Sequence, residues 1–242
     1  MAIFDALIYH PIYNTLVFFY NIIPGQDFGI AIILTTLLIK ALFIPLSKKQ
    51  IESQKKMQEI QPKLKEIQAK YKDNKEKQTK ALMEVYKENK VNPFAGCLPL
   101  IIQFIVLIAI YRVIMNISNG GFMISPADLY GFVANPGAVN HLFLYVVDIS
   151  KPNYVLALIS AVAQYYQMKM LLQTQKLTML TPSPAASGQP DFASIMNKQM
   201  LYVLPVVAFF AGIQFPAALA LYWFVSTLFM IFQQMVIFKP KS

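Results

Sequence analysis

Cysteine and histidine are almost missing from this chain: Cys97 is the single cysteine, and His10 and His141 are the two histidines. One thiol can close no internal disulfide and build no thiolate metal cluster, and two imidazoles are too few for a histidine-rich metal centre. Acidic residues are also scarce, 12 against 21 basic ones. The long apolar runs contain none of them, which leaves no acidic relay inside those runs. There is no glycine-rich phosphate loop, serine-hydrolase elbow or internal repeat. Cys97 has no histidine beside it, and His141 and Asp148 fall in a loop, so an intramembrane hydrolase lacks an acid–base pair. The first residues carry Asp5 and neither lysine nor arginine, so no leader with a positive n-region is expected.

What remains is apolar and basic. The chain is 56% hydrophobic with a mean hydropathy of +0.47, yet its net charge is +9. Such a balance suits a polytopic membrane protein whose charge is segregated from its apolar runs. The expected fold class is an all-α membrane protein with five transmembrane helices, from runs at 28–46, 94–117, 153–172, 199–212 and 216–238. The fourth run is short. Only a tight turn fits between 212 and 216, so the last two spans are expected to form a hairpin.

Lysine placement sets the orientation. Thirteen lysines lie in 47–92, while 1–27 and 118–150 carry Asp5, Asp27, Asp128 and Asp148 and no basic residue. The positive-inside rule then puts the N-terminus outside and the C-terminus inside. The resulting division is an outer amphipathic helix (1–27), a first span (28–46), a cytoplasmic basic helical hairpin (47–92) and a second span (93–118). An outer loop (119–151), a third span (152–172), a cytoplasmic loop (173–198), a two-span hairpin (199–238) and a short basic tail (239–242) follow. In the hairpin, Ile51, Met57, Ile60, Leu64, Ile67 and Tyr71 draw a thin apolar stripe, Asp73 and Asn74 break it, and a second helix runs to about Glu88. Such a hairpin is either a solvated spacer or a mobile arm at an anionic membrane surface or ribosomal RNA. Residues 3–23 are apolar but are broken by Asp5, His10, Pro11, Asn14 and Asn21. Their aromatic content suits a helix lying on the outer surface, the alternative being a further span, which would leave the later orientation unchanged.

Lys40 stands inside the first apolar run. An ionised side chain at the bilayer centre costs about 2.5 to 3.5 kcal/mol on insertion scales, so such a residue faces a wet cavity or a partner unless it snorkels. Thr36 lies one turn before it on the same face. Gln103, Gln164 and Gln167 are further polar groups at membrane depth, whose bland reading is interhelical hydrogen bonding, and Trp223 is an amphipathic one, whose bland reading is an interface anchor. Arg112, near the outer end of the second span, is expected to snorkel to the headgroups.

Three blocks carry a resemblance: GIAIILTTLLIKALFIPLSKKQ (29–50), NPFAGCLPLIIQFIVLIAIY (92–111) and FPAALALYWFVSTLFMIFQQ (215–234). With QPKLKEIQAKY, LFLYVVDISKPNYVLAL and VLPVVAFF in colinear order, they make the chain similar to the YidC family of membrane protein insertases. Lys40 stands where most bacterial members have arginine, Ala218 where they have glycine, and Thr227 where they have asparagine. The resemblance implies a hydrophilic groove open to the cytoplasm and to lipid, lined by Lys40, Thr36, Gln103, Gln164, Gln167 and Trp223. It implies insertion of nascent membrane proteins without cofactor, metal or enzymatic turnover, in the plasma membrane of a bacterium. The expected partners are nascent membrane proteins and the lipid bilayer, with the ribosome and Sec translocon as further candidates and no DNA. The alternative is an ion or small-solute transporter using Lys40 as a counter-charge, although no inverted repeat or pair of broken helices supports it.

Overall fold

In a computed structural model, residues 2–89, 91, 98–177 and 192–237 are described. Cys97, the proline-rich stretch 181–190 and the tail 239–242 lie outside the described residues. The described chain is mostly helix: α1 (Ala2–Phe4), α2 (His10–Ile22), α3 (Phe28–Leu42), α4 (Ile44–Lys70), α5 (Lys75–Glu88), α6 (Leu98–Asn119), α7 (Tyr154–Leu177), α8 (Phe192–Gln214) and α9 (Ala217–Ile237). A π-helical turn, Asp5–Tyr9, joins α1 to α2. Among the described residues two helices suffice by length and composition to cross a membrane, over Ile101–Asn119 and Ala217–Val236, while Phe28–Leu42 and Leu201–Gln214 are apolar but shorter.

The first apolar run does not stay one helix. Asp27 starts α3 as its N-cap, its carboxylate accepting the Ile30 N–H at 3.0 Å. Pro45 has no N–H to give and sits in the first turn of a new helix, so the backbone turns at Phe43 and α4 begins at Ile44. The basic stretch is helical from there. Asn74 caps α5 by accepting the Lys77 N–H, and α4 and α5 share a small core of Ile60, Leu64, Val85 and Val91. This core is separate from the main one.

The main core is built by α2, α3, α6 and α9 together with the 120–151 segment. One face of α2, with Ile12, Tyr13, Leu16, Val17 and Tyr20, is buried there, as is Tyr9 at the end of the π-helical turn. The opposite face exposes Phe18 and Ile22. Three of the aromatics expected at an interface, Tyr9, Tyr13 and Tyr20, are therefore core residues. Asn14 ties α2 to the 120–151 segment by donating to Asp128 O at 2.9 Å and accepting from Tyr130 N at 2.7 Å. Burial pushes the Tyr13 phenol up to about 12, although its oxygen accepts the Ser125 N–H.

Two details add to the mostly helical architecture. The fold is not purely helical, because Leu142–Phe143 (β1) and Val147–Asp148 (β2) pair antiparallel in register Leu142↔Asp148 and Phe143↔Val147. Aromatic and β-branched side chains in this run favour strand. The turn between α8 and α9 is tight, as expected, but α8 packs mainly along α7. Gly212 makes that approach possible, since a Cβ there would lie 2.8 Å from Ala157 Cβ.

Candidate functional site

The site grows from α3, α6 and α9. Lys40 lies in the last turn of α3, half-buried, and its Nζ donates to Gln103 Oε1 on α6 at 2.7 Å. An ammonium group only donates, so it fixes the Gln103 amide with oxygen toward Lys40 and nitrogen toward α9. There Gln103 Nε2 donates to Tyr222 Oη and Ser226 Oγ, each at 3.3 Å. Both partners are buried. Beside them opens a pocket of about 60 Å³ lined by Ile39, Lys40, Phe43, Gln103, Met230 and Gln233 among others. No carboxylate pairs with Lys40 among the described residues.

A second network lies between α7 and α9. Gln164 Oε1 accepts from Trp223 Nε1 at 2.9 Å and from Thr227 Oγ1 at 3.2 Å, while Gln164 Nε2 donates to Gln167 Oε1 at 3.2 Å. Gln164, Gln167 and Thr227 are buried. α9 thus presents two hydrogen-bonding pairs, Tyr222 with Ser226 and Trp223 with Thr227. Each pair is four residues apart and so shares a face, and the two pairs are turned about 100° from one another.

The six residues expected to line one groove are therefore distributed. Lys40 and Gln103 meet directly, and Gln164, Gln167 and Trp223 meet in the other network. Thr36 joins neither. It is fully buried, and its hydroxyl donates back to Ile32 O at 2.7 Å, the usual resort of a threonine inside a helix. Arg112 is not a free snorkelling cation either. It pairs with Asp5 at 2.5 Å and stacks over the rings of Phe4 and Tyr9, because the π-helical turn brings Asp5 beside α6. Tyr222, Ser226 and Thr227 were not singled out as site residues from sequence. The signal was their spacing against one another on an otherwise apolar helix.

Comparison with known proteins fits this arrangement into a family. Residues 18–242 match the model of the 60Kd inner membrane protein family. A protein of Oceanobacillus iheyensis named Membrane protein insertase YidC is 36% identical over 220 residues, covering 89% of this chain and 76% of that relative. Proteins of the same name from Pelobacter propionicus and Tolumonas auensis are 34% and 33% identical over 234 and 229 residues. The match covers 97% and 95% of this chain but only 39% and 36% of those two relatives. With nearly its whole length matched, the chain belongs to the 60Kd inner membrane protein family, that of the YidC membrane protein insertases, which are inner-membrane proteins and not enzymes.

Proposed function

We propose that this chain inserts nascent membrane proteins, using Lys40 and its pocket as a polar foothold for the hydrophilic segment that must cross. The observation that carries the reading is a lysine within an apolar helix whose hydrogen-bond partner is a neutral amide and which faces a pocket. A structural lysine would be neutralised by a carboxylate. One held by Gln103 keeps its charge available for an acidic group of a client.

In this reading five helices, α3, α6, α7, α8 and α9, span the bilayer, with the N-terminus outside and the lysine-rich α4–α5 hairpin inside. Supporting it is the concentration of thirteen lysines in 47–92. One basic residue stands against the pattern, Lys151 in the outer loop, where it pairs with Asp148 at 3.2 Å. Insertion needs no chemical fuel in this scheme. Burying the client's apolar helix in lipid supplies about 25 cal/mol per Å², and the protein lowers the barrier for desolvating the polar segment. Lys40 and Gln103 act on that segment, while the Gln164–Trp223–Thr227 network holds α7 against α9. The clients are membrane proteins, and the ribosome and the Sec translocon are proposed as further partners.

Liposomes carrying the purified chain test this with a short single-span client that has an acidic outer tail, scored by protease protection. Lys40→Arg is expected to insert at close to the wild-type level, and Lys40→Glu to lose insertion. Full protection with Lys40→Glu would overturn the role of the charge.

A further inference from the structure

The turn between β1 and β2 is built against its own backbone preference. Leu144 and Tyr145 have φ of 51° and 59°, so both central residues are left-handed, and Val146 N closes the turn on Phe143 O at 3.1 Å. Turns of this kind normally carry Asn-Gly or Asp-Gly, since left-handed backbone is unfavourable for bulky residues. The side chains bury little surface in return. Leu144, Tyr145 and Val146 are 57%, 68% and 82% exposed.

The turn is nevertheless held firmly. The buried Asp27 carboxylate that caps α3 through Ile30 also accepts the Leu144 N–H, at 2.6 Å. Tyr145 Oη donates to Gly25 O at 3.3 Å, just beyond the exposed Ile22. Beneath, Phe143 packs where Gly29 leaves room, since a Cβ at residue 29 would lie 2.3 Å from its ring. The whole stretch 129–147 has no Asp, Glu, Lys or Arg. An exposed apolar cluster within such a charge-free run is the informative departure from an ordinary surface.

We propose that the Leu144–Tyr145–Val146 turn is a lipid anchor, dipping into the bilayer interface at the end where α3 begins. The occupant follows from continuity with the membrane-facing surface. The turn is fixed to the first residues of an apolar helix, and the first turn of α7 likewise exposes Tyr154 and Val155, at 70% and 66%. An aromatic flanked by aliphatics, with its hydroxyl satisfied by backbone, matches the chemistry of the headgroup–acyl boundary. The inference rests on membrane residence and stands apart from the insertase reading.

Depth-dependent quenching tests it on the full chain in phosphatidylcholine–phosphatidylglycerol vesicles. An environment-sensitive fluorophore is placed on Val146→Cys in a Cys97→Ser background, with Lys151→Cys as the aqueous control. Blue-shifted emission lost to chain-spin-labelled lipid and protected from iodide, with the control behaving oppositely, is the expected result. Iodide access without lipid quenching would overturn the proposal, as would disulfide-linked dimers through Val146→Cys, which would make the occupant a second copy. If Cys97→Ser impairs folding, Tyr145→Trp with the native cysteine gives the same readout from brominated lipid after subtraction of Trp223. Client insertion measured in the same vesicles separates the two readings, since it can fail while the anchor holds.

Discussion

Gln103 has two duties that compete for one amide. Its oxygen accepts from Lys40 while its nitrogen is shared between Tyr222 and Ser226, so a client carboxylate that takes Lys40 displaces a neutral acceptor and not a charged one. A hydrogen bond to a charged group contributes about 1.5 to 3 kcal/mol, which a carboxylate partner exceeds by adding charge attraction. Gln103→Glu plants such a carboxylate permanently beside Lys40. Insertion of acidic-tailed clients is expected to fall about tenfold or more, the effect of ~1.4 kcal/mol, while clients with neutral tails are affected less. Equal loss for both client types would show that Gln103 is only packing. At this scale the sequence was uneven as a guide. Lys40 stands out in the sequence because a charge in an apolar run has few bland explanations. Thr36 was misleading because sharing a face with Lys40 does not tell which neighbour covers that face. The Arg112 pair with Asp5 was hidden by a π-helical turn that no residue pattern announced.

Among the elements, the α4–α5 hairpin has a core of its own, with Met57, Ile67, Leu82 and Tyr86 packed around Ile60, Leu64, Val85 and Val91. Its bridge between Lys63 and Glu88, at 3.2 Å, is exposed and contributes at most about 1 kcal/mol. The apolar contacts therefore decide whether the hairpin stays closed. Leu64→Ala is expected to cost about 2 to 5 kcal/mol of local stability. Hydrogen exchange is the direct measure: amides of α4 and α5 should exchange faster while those of α3, α6 and α9 keep their protection. Loss of protection in α3 as well would mean that hairpin and bundle unfold as one unit. Helices were the legible part of this chain because their apolar spacing repeats over many residues. Pro45 marked the break after α3, yet a run read for hydropathy alone passes over it. The β-hairpin was missed because its strands are two residues each, and its turn carries Leu144 and Tyr145 where a turn signal would carry glycine or asparagine.

For the molecule as a whole, orientation decides which leaflet each feature meets. Thirteen lysines in 47–92 face one in 119–151, and translocating that many ammonium groups against the membrane potential costs about 2.3 kcal/mol per charge per 100 mV. Lys151 does not rival this. Its neighbour Asp148 is drawn upward by burial, but the Ser150 hydroxyl and N–H, Lys151 and His141 outweigh that and hold the carboxyl below its ordinary range. The 119–151 segment thus contains a locally compensated cation, whereas the α4–α5 hairpin region, 47–92, has thirteen lysines against seven acidic residues. An impermeant maleimide applied to intact cells should label Lys151→Cys at once and Lys80→Cys only after permeabilisation, both in the Cys97→Ser background. Both side chains are well exposed, at 79% and 75%, so access is set by the membrane and not by packing. Immediate labelling of Lys80→Cys would invert the molecule. The Lys40 pocket lies where α3 gives way to α4, so inversion would open it away from the ribosome's side and remove the insertase mechanism proposed here, while the Leu144–Val146 anchor would keep its depth and change leaflets.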